Sequence, residues 1–280
     1  MEKVKSFYVD DKKSFVIGGS KTTLIGGPCS IEGFEMCDEV AGTVKKICDE
    51  LQINYVFKGS FDKANRSNLH AGRGVGIEKG LQILSDIREK YQIPVTTDVH
   101  ESWQCDEVSK VVDILQIPAY LCRQTDLIIA AAKTGRAVNV KKGQFMAPYN
   151  MDNVVEKIQS TDNEKIILCE RGTFFGYNRL VVDLQGLLDM RRLGYPVFLD
   201  ATHAVQYPGS GKEFTSGNRE FVPYLINAGF AVGVDGIFAE IHPDPDHAIS
   251  DGPSQLKLDS VEKILRNAKK YDDLTRSIHD

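Results

Sequence analysis

The sequence concentrates lysine, arginine, asparagine and serine side chains directly after a short apolar run, NYVF (54–57). The stretch that begins there, FKGSFDKANRS (57–67), contains Lys58, Lys63, Asn65, Arg66 and Ser67. Ammonium and guanidinium groups bind the oxygen atoms of phosphates and carboxylates. Because the whole chain carries a net charge of −5, this local excess of cations predicts a binding site for an anionic small molecule.

Further polar residues follow other apolar runs, and they fall into two chemical sets. The first set is cationic and adds Arg123, Lys141 and Arg171 to Lys58, Lys63 and Arg66. Asp98 and Gln116 lie at the ends of two further apolar runs. The second set combines one thiol, one imidazole and two carboxyl groups, those of Cys29, His203, Glu240 and Asp251. Sulfur, nitrogen and oxygen donors together suit a divalent ion such as Zn²⁺, Fe²⁺, Mn²⁺ or Co²⁺, and suit Mg²⁺ poorly. The alternative is a hydrogen-bonded polar cluster with a neutral Cys29.

Eight β-rich apolar runs alternate with helical patterns along the chain. The runs are 22–27, 54–59, 93–99, 113–119, 137–143, 165–172, 196–204 and 234–242. The helical segments between them include 39–52, 77–91, 127–135, 180–194 and 218–229. Eight βα units predict an α/β protein with a closed (β/α)₈ barrel, a TIM barrel. An open doubly wound sheet is the alternative, but no GxGxxG turn follows the first run to support a dinucleotide site.

The predicted barrel gives the polar residues a common location. In such a barrel the functional residues lie at the carboxyl ends of the strands, which meet at one rim. Because strands one, seven and eight are neighbours in a closed sheet, Cys29, His203 and Glu240 are expected to meet there. A single domain, 1–280, is predicted, in which 4–19 forms an N-terminal hairpin outside the barrel. Two further polar loops, 207–220 and 242–253, are candidate lids over a bound substrate.

Composition limits the classes of partner. The chain is 42% hydrophobic and 26% charged, as in an ordinary soluble globular protein. It shows no basic arm or stripe of the kind that binds nucleic acid, no signal-peptide pattern and no apolar run of membrane length. Its six cysteines have no framework spacing, so free thiols are expected. We therefore expect a cytoplasmic protein that binds neither nucleic acid nor membrane.

The motifs, taken in order, resemble one enzyme family. The matching segments are GGPCSIEG (26–33), FKGSFDKANRS (57–67), TTDVHE (96–101), QIPAYLCRQTD (116–126), NVKKGQF (139–145), CERGTFFGYN (169–178), DATHAVQ (200–206) and AEIHPDPDHAISDGP (239–253). Over nearly the whole chain they resemble the 3-deoxy-D-manno-octulosonate 8-phosphate synthase family. KANRS is the most specific part, since a sister family that makes the seven-carbon shikimate precursor from erythrose 4-phosphate typically carries a KPRTS-like stretch there.

The resemblance implies condensation of phosphoenolpyruvate with D-arabinose 5-phosphate and water, which gives the eight-carbon sugar acid phosphate and inorganic phosphate. The residues implied to bind phosphoenolpyruvate are Lys58, Lys63, Gln116, Lys141 and Arg171. Those implied to hold arabinose 5-phosphate are Asn65, Arg66 and Ser67, with Arg123 reaching its phosphate from a neighbouring subunit of a homotetramer. The implied catalytic residues are Lys63, Asp98, His203 and Asp251.

The resemblance also implies a metal centre, because the family divides into metal-dependent members with cysteine after the first strand and metal-independent members with asparagine there. Cys29 places this sequence with the first group, and its implied partners are His203, Glu240 and Asp251. Three alternatives stay open on the sequence. They are the seven-carbon synthase, a non-catalytic barrel that binds sugar phosphates, and a metal-dependent hydrolase on the same fold.

Overall fold

A closed barrel of eight parallel strands forms the centre of the structure, a computed structural model that describes residues 2–65, 70–208 and 216–279. In chain order the strands are β1 (Thr23–Gly27), β2 (Asn54–Lys58), β3 (Val95–Asp98), β4 (Ile114–Ile117), β5 (Ala137–Lys141), β6 (Ile166–Glu170), β7 (Val197–Asp200) and β8 (Gly236–His242). Each strand pairs with the next, and β8 pairs with both β7 and β1. The predicted (β/α)₈ barrel is confirmed.

Helices cover the outside of the barrel. Within the described ranges they are α1 (Phe34–Leu51), α2 (Ile77–Tyr91), α3 (Gln104–Ser109), α4 (Thr125–Lys133), α5 (Asp152–Gln159), α6 (Leu184–Arg191), α7 (Val222–Val232) and α8 (Val261–His279). In α1 the buried residues include Val40, Val44 and Ile47, a helical spacing that turns one apolar face toward the strands. None of these helices, over the residues described, is long and apolar enough to cross a membrane.

An antiparallel pair of short strands between Phe7 and Ile17 packs against the barrel interior. Phe7–Tyr8 pairs antiparallel with Val16–Ile17. Val9 and Ile17 are buried in one apolar cluster with inward residues of the strands, which are Ile25, Val56, Ile114, Ala137, Ile167, Cys169, Phe198 and Phe238. A second and larger apolar cluster lies between the strands and the helices. The hairpin therefore packs against the interior side chains, and the strands are buried on both faces.

Candidate active site

The predicted metal ligands meet at the C-terminal end of the barrel. Cys29 follows β1, Glu240 lies in β8 and Asp251 lies in the loop after β8; one ligand atom of each is within 4.8 Å of the others. His203 follows β7, and its Nε2 lies 3.6 Å from Glu240 Oε1 and 3.6 Å from Asp251 Oδ2. The closed sheet thus gathers four donor residues that come from distant parts of the sequence.

This cluster fits a divalent cation by two criteria. Glu240 is fully buried, and its Oε2 atom has no hydrogen-bond partner within the described part of the chain. A buried carboxylate oxygen without a partner is destabilising by about 1–3 kcal/mol or more, and a bound cation would satisfy it. The available thiol, imidazole and carboxylate donors are those that a borderline divalent ion prefers.

The pKa shifts of the cluster reflect its concentrated negative charge. Burial raises the pKa of the Cys29 thiol, and the neighbouring carboxylates Glu240 and Asp251 raise it further against the effect of Lys63 and Lys58. Burial alone would lower the pKa of His203, but Asp200 and Glu240 outweigh it and raise that pKa to about 9. A cation in the cluster would reverse the situation for the thiol, since a coordinated cysteine binds as the thiolate.

Lys58 supports the cluster from within the protein. Its Nζ donates to Pro28 O at 3.1 Å, to Cys29 O at 2.7 Å and to Glu240 Oε1 at 3.0 Å. These bonds use all three ammonium protons. The backbones also approach closely here, because a Cβ atom on Gly27 would lie 2.0 Å from Lys58 O. The structure therefore places Lys58, which the sequence assigned to substrate, as a support for Cys29 and Glu240.

Arg171, directly after β6, has one arm of its guanidinium ready for an anion. Its Nη2 donates to Gln206 Oε1 at 2.8 Å, whereas its buried Nη1 has no hydrogen-bond partner among residues 2–65, 70–208 and 216–279. The side chain is only 7% exposed, so bulk water does not readily satisfy that donor. A fork held by a neutral amide on one side is suited to bind a phosphate or carboxylate on the other.

Lys141 and Gln116 lie on neighbouring strands, and both are buried. The Lys141 Nζ atom is 2.7 Å from Asp200 Oδ2 and 3.0 Å from the centroid of the Phe238 ring. Gln116 Oε1 accepts a hydrogen bond from Asn139 Nδ2 at 3.2 Å. Both predicted substrate residues are therefore fixed in place by other side chains inside the barrel.

A hydrogen-bonded chain joins Lys63 to the acid at the end of β3. Lys63 Nζ donates to Ser60 Oγ at 2.9 Å, Ser60 Oγ donates to Asp98, and Asp98 Oδ2 lies 2.9 Å from His100 Nε2. Burial opposes ionisation of Asp98, but Lys63 and His100 outweigh it and lower its pKa. Burial likewise opposes the charge on Lys63, and the facing acidic groups raise its pKa. Asp98 and Lys63 are therefore both ionised at neutral pH, with Ser60 between them.

The remaining predicted residues are less closely tied to this centre. Asn65 is exposed in the loop after β2, while Arg66 and Ser67 lie outside the described residues. Arg123 is exposed and lines a separate cavity of about 370 Å³, together with Phe145 and Lys157. The Lys157 Nζ atom donates to Arg123 O at 3.0 Å. The described contacts of one chain thus do not join Arg123 to the other predicted site residues.

The two predicted lid loops touch each other where they are described. Arg219 Nη2 donates to Asp246 Oδ1 and to Gly252 O, each at 2.7 Å, which links the loop after β7 to the loop after β8. Residues 209–215 of the first loop lie outside the described residues. Closure over a substrate stays a prediction.

Sequence reasoning missed several residues that the structure places in the site. Asp200 contacts both Lys141 and His203, Gln206 holds Arg171, and Ser60 bridges Lys63 and Asp98. Two of them stand in the segment DATHAVQ (200–206), from which only the histidine was selected. The position of Asp200, three residues before the candidate ligand His203, is the sequence signal that could have identified it.

Comparison with known proteins places the chain in a family. Residues 6–277 match the model of the DAHP synthetase I family. The chain belongs to that family. Its relatives include proteins named 2-dehydro-3-deoxyphosphooctonate aldolase from three bacteria. That of Fusobacterium nucleatum is 56% identical over 266 residues, which covers 95% of this chain and 96% of the relative. That of a Cyanothece species is 54% identical over 248 residues (89% and 91%), and that of Bartonella tribocorum is 50% identical over 257 residues (92% of each).

Proposed function

We propose that this protein condenses phosphoenolpyruvate with D-arabinose 5-phosphate and water to give 3-deoxy-D-manno-octulosonate 8-phosphate and inorganic phosphate. The observation that carries the proposal is that buried cations and a buried thiol–carboxylate cluster lie together at the C-terminal end of one barrel. The eight-carbon product is supported over the seven-carbon one by relatives of 50–56% identity that share the octonate aldolase name. It is the reaction that the sequence motifs implied.

The anion-binding residues account for the charge of the substrates. Phosphoenolpyruvate carries a phosphate and a carboxylate, and a second phosphate must approach it, so several cations are needed to offset repulsion. Arg171 Nη1, which has no partner in the described ranges, binds an anionic oxygen of phosphoenolpyruvate. Lys141 and Lys63 add positive charge that Asp200 and Ser60 hold in place. Because other side chains already hold these groups, they stabilise developing charge without rearrangement. Gln116 completes this pocket.

The reacting carbons are the C3 atom of phosphoenolpyruvate and the aldehyde carbon of the sugar. As the carbon–carbon bond forms, positive character develops at C2, water adds there, and phosphate then leaves by cleavage of its C–O bond. Asp98 stays ionised because its pKa is lowered, and it stabilises the positive character near the reacting centre. Alignment of two reactants alone can supply roughly 7–11 kcal/mol of the barrier reduction.

Cys29, His203, Glu240 and Asp251 would hold a divalent ion of the Zn²⁺, Fe²⁺, Mn²⁺ or Co²⁺ type. When bound, such an ion supplies Lewis-acid polarisation to an oxygen atom beside it. The buried Glu240 Oε2 without a partner supports this assignment. Lys58 keeps Cys29 and Glu240 in place around the site.

The sugar phosphate is assigned to the loop after β2, where Asn65, Arg66 and Ser67 follow the pocket of Lys63. Arg123 acts from a neighbouring subunit of a homotetramer, an assignment supported by its exposure and by the separate cavity that it lines. A cytoplasmic location is part of the same proposal, since both substrates are phosphorylated metabolites.

The test is phosphate release from phosphoenolpyruvate in the presence of arabinose 5-phosphate or erythrose 4-phosphate, each with and without a chelator. We expect release with arabinose 5-phosphate that stops on chelation and returns with added metal. Faster release with erythrose 4-phosphate would instead identify the seven-carbon synthase. Ligand-induced stabilisation without release from either sugar would identify a non-catalytic binder.

A further inference from the structure

Asp200, the last residue of β7, is fully buried and accepts hydrogen bonds from both chemical sets of the site. Its Oδ2 atom lies 2.7 Å from Lys141 Nζ and 2.7 Å from His203 Nδ1. Its Oδ1 atom accepts from the backbone N–H of His203 at 2.9 Å and from Thr202 Oγ1 at 3.1 Å. One carboxylate thus contacts a predicted substrate cation and a predicted metal ligand at the same time.

The contact with His203 determines which ring nitrogen is available to a metal. A carboxylate can only accept, so Nδ1 carries the hydrogen in its bond to Asp200. The other nitrogen, Nε2, is the one beside Glu240 and Asp251. Carboxylate partners of this kind fix the orientation of metal-binding histidines, and their loss typically weakens metal affinity by about 10–100-fold.

Thr202 extends the same support to the next strand. Its hydroxyl donates to Asp200 Oδ1 at 3.1 Å and accepts from the backbone N–H of Glu240 at 3.0 Å. Asp200 is therefore connected to two of the predicted ligands, directly to His203 and through Thr202 to Glu240. On its other side it holds Lys141, whose ammonium also lies over the Phe238 ring.

We infer that Asp200 is a positioning residue that serves both the metal ligands and the substrate-binding cations. It holds His203 for the metal and Lys141 for phosphoenolpyruvate. The inference rests on the proposed function and deepens it. An ordinary buried ion pair is found at the opposite end of the barrel, where Asp235 pairs with Arg191 and accepts the backbone N–H of Val197. The side-chain partners of Asp235 among the described residues, Arg191 and the Val197 backbone, lie outside the predicted site, whereas Asp200 contacts one predicted substrate residue and one predicted metal ligand.

Asp200→Asn is the decisive variant, because the amide keeps the shape of the side chain but places a donor where the carboxylate accepts. We expect metal affinity, measured by competition with a chromogenic chelator, to fall about 10–100-fold. The KM for phosphoenolpyruvate should rise about 10-fold, an effect of roughly 1.4 kcal/mol, while the KM for arabinose 5-phosphate stays within about 2-fold. Asp235→Asn is the matched control and should change none of these values.

A second test, in a variant that already lacks His203, separates the role of Asp200 toward the metal from its role toward Lys141. In a His203→Gln protein, Asp200→Asn should weaken metal affinity by several-fold at most, because the ligand it orients directly is already gone and only the link through Thr202 to Glu240 remains. It should still weaken binding of phosphoenolpyruvate to chelator-treated protein, measured by titration calorimetry. Unchanged metal affinity together with unchanged phosphoenolpyruvate binding in Asp200→Asn would overturn the inference.

Thr202→Val provides a milder change if Asp200→Asn yields no folded protein. It removes one hydroxyl that bridges Asp200 and Glu240, and we expect a loss of metal affinity of several-fold with no change in phosphoenolpyruvate binding. An unaltered metal affinity in Thr202→Val would contradict the proposed role of Asp200 in positioning the metal ligands. Failure of the proposed function would show separately, as the absence of phosphate release by the unmodified protein, and the two titrations would still decide the role of Asp200.

Discussion

The barrel interior has a lower half, which packs against the hairpin, and an upper half at the C-terminal ends of the strands, where the candidate site lies. Both halves are built from the same strands but have opposite chemistry. In β7 the inward residues are Phe198 and then Asp200, and in β8 they are Phe238 and then Glu240. Residues two apart point to the same face of a strand, so each strand changes from aromatic to ionised in a single step. The lower half is closed by apolar side chains of the hairpin, such as Ile17.

This difference separates stability from function within one fold. Burial of apolar surface in the lower half stabilises the barrel by roughly 25 cal/mol per Å². The upper half buries charged groups, whose desolvation is unfavourable unless each is paired. Arg171 Nη1 and Glu240 Oε2 are examples of buried atoms there that have no hydrogen-bond partner among the described residues. We therefore expect the lower half to determine the free energy of unfolding and the upper half to determine ligand binding.

The largest effect should come from Cys29→Ala in the upper half. Removal of the thiol deletes one of the predicted metal ligands, so we expect metal binding to be lost and phosphate release to fall by about 10²–10³-fold or more, because Lewis-acid stabilisation is worth several kcal/mol. Metal content per chain and steady-state rates measure this. Cys48→Ala, a buried cysteine in α1, is the matched control for lost packing. An unchanged metal content in Cys29→Ala would remove this residue from the ligand set.

The hairpin offers the opposite test in the lower half. Ile17 is fully buried, and Ile17→Ala should reduce the free energy of unfolding by about 2–5 kcal/mol. The KM values and metal affinity should stay the same, since the described apolar cluster that contains Ile17 includes none of the predicted site residues. Its neighbour Val16 is only partly buried, so Val16→Ala should have a clearly smaller effect in the same denaturant titration. A large change in KM caused by Ile17→Ala would show that the two halves are not independent.

Asn65→Ala should separate the two substrates. We expect the KM for arabinose 5-phosphate to rise about 10-fold, consistent with the loss of one hydrogen bond to a charged group, roughly 1.5 kcal/mol. The KM for phosphoenolpyruvate serves as the internal control and should change little. Equal effects on both substrates would mean that the loop after β2 does not hold the sugar.

The alternation of β-rich and helical patterns was enough to predict the barrel, because each predicted strand is an apolar run bounded by helices or loops. The predicted run 54–59, for example, contains β2 (Asn54–Lys58). Helix ends were less accurate. The segment 39–52 was predicted as a helix, but α1 begins at Phe34. The true start was missed because Gly33 and Phe34 carry no strong sequence signal for a helix N-terminus.

Parts of the site could be predicted because the fold places strand ends at one rim. The cluster of Cys29, Glu240 and Asp251 follows directly from that rule. The role of Lys58 could not be predicted, because its three bonds depend on the close approach of β1 and β2. Asp200 was missed for a similar reason, since its two partners come from β5 and from the turn after β7.

The pH dependence of stability gives the smallest but most specific test of the two halves. Burial would lower the pKa of His100, but Asp98 outweighs it and raises that pKa above 6.5, with Asp62 adding to the effect and Lys63 opposing it. Protonated His100 therefore stabilises the folded state below about pH 6.5, and this contribution is lost as the pH rises through the raised pKa. His100→Gln should reduce the free energy of unfolding more at about pH 6 than at about pH 9.

Measurements of the free energy of unfolding at the same two pH values distinguish the lower half of the barrel from the upper half, because Ile17, unlike His100, has no ionisable group. The loss caused by Ile17→Ala should be equal at both pH values, while the loss caused by His100→Gln should shrink at the higher one. His247→Gln, at an exposed histidine, controls for a general effect of removing an imidazole. If the His100→Gln loss were the same at both pH values, the Asp98–His100 contact would not be an ion pair in the folded protein. Lys63 and Lys58 would then account for the ionised state of Asp98.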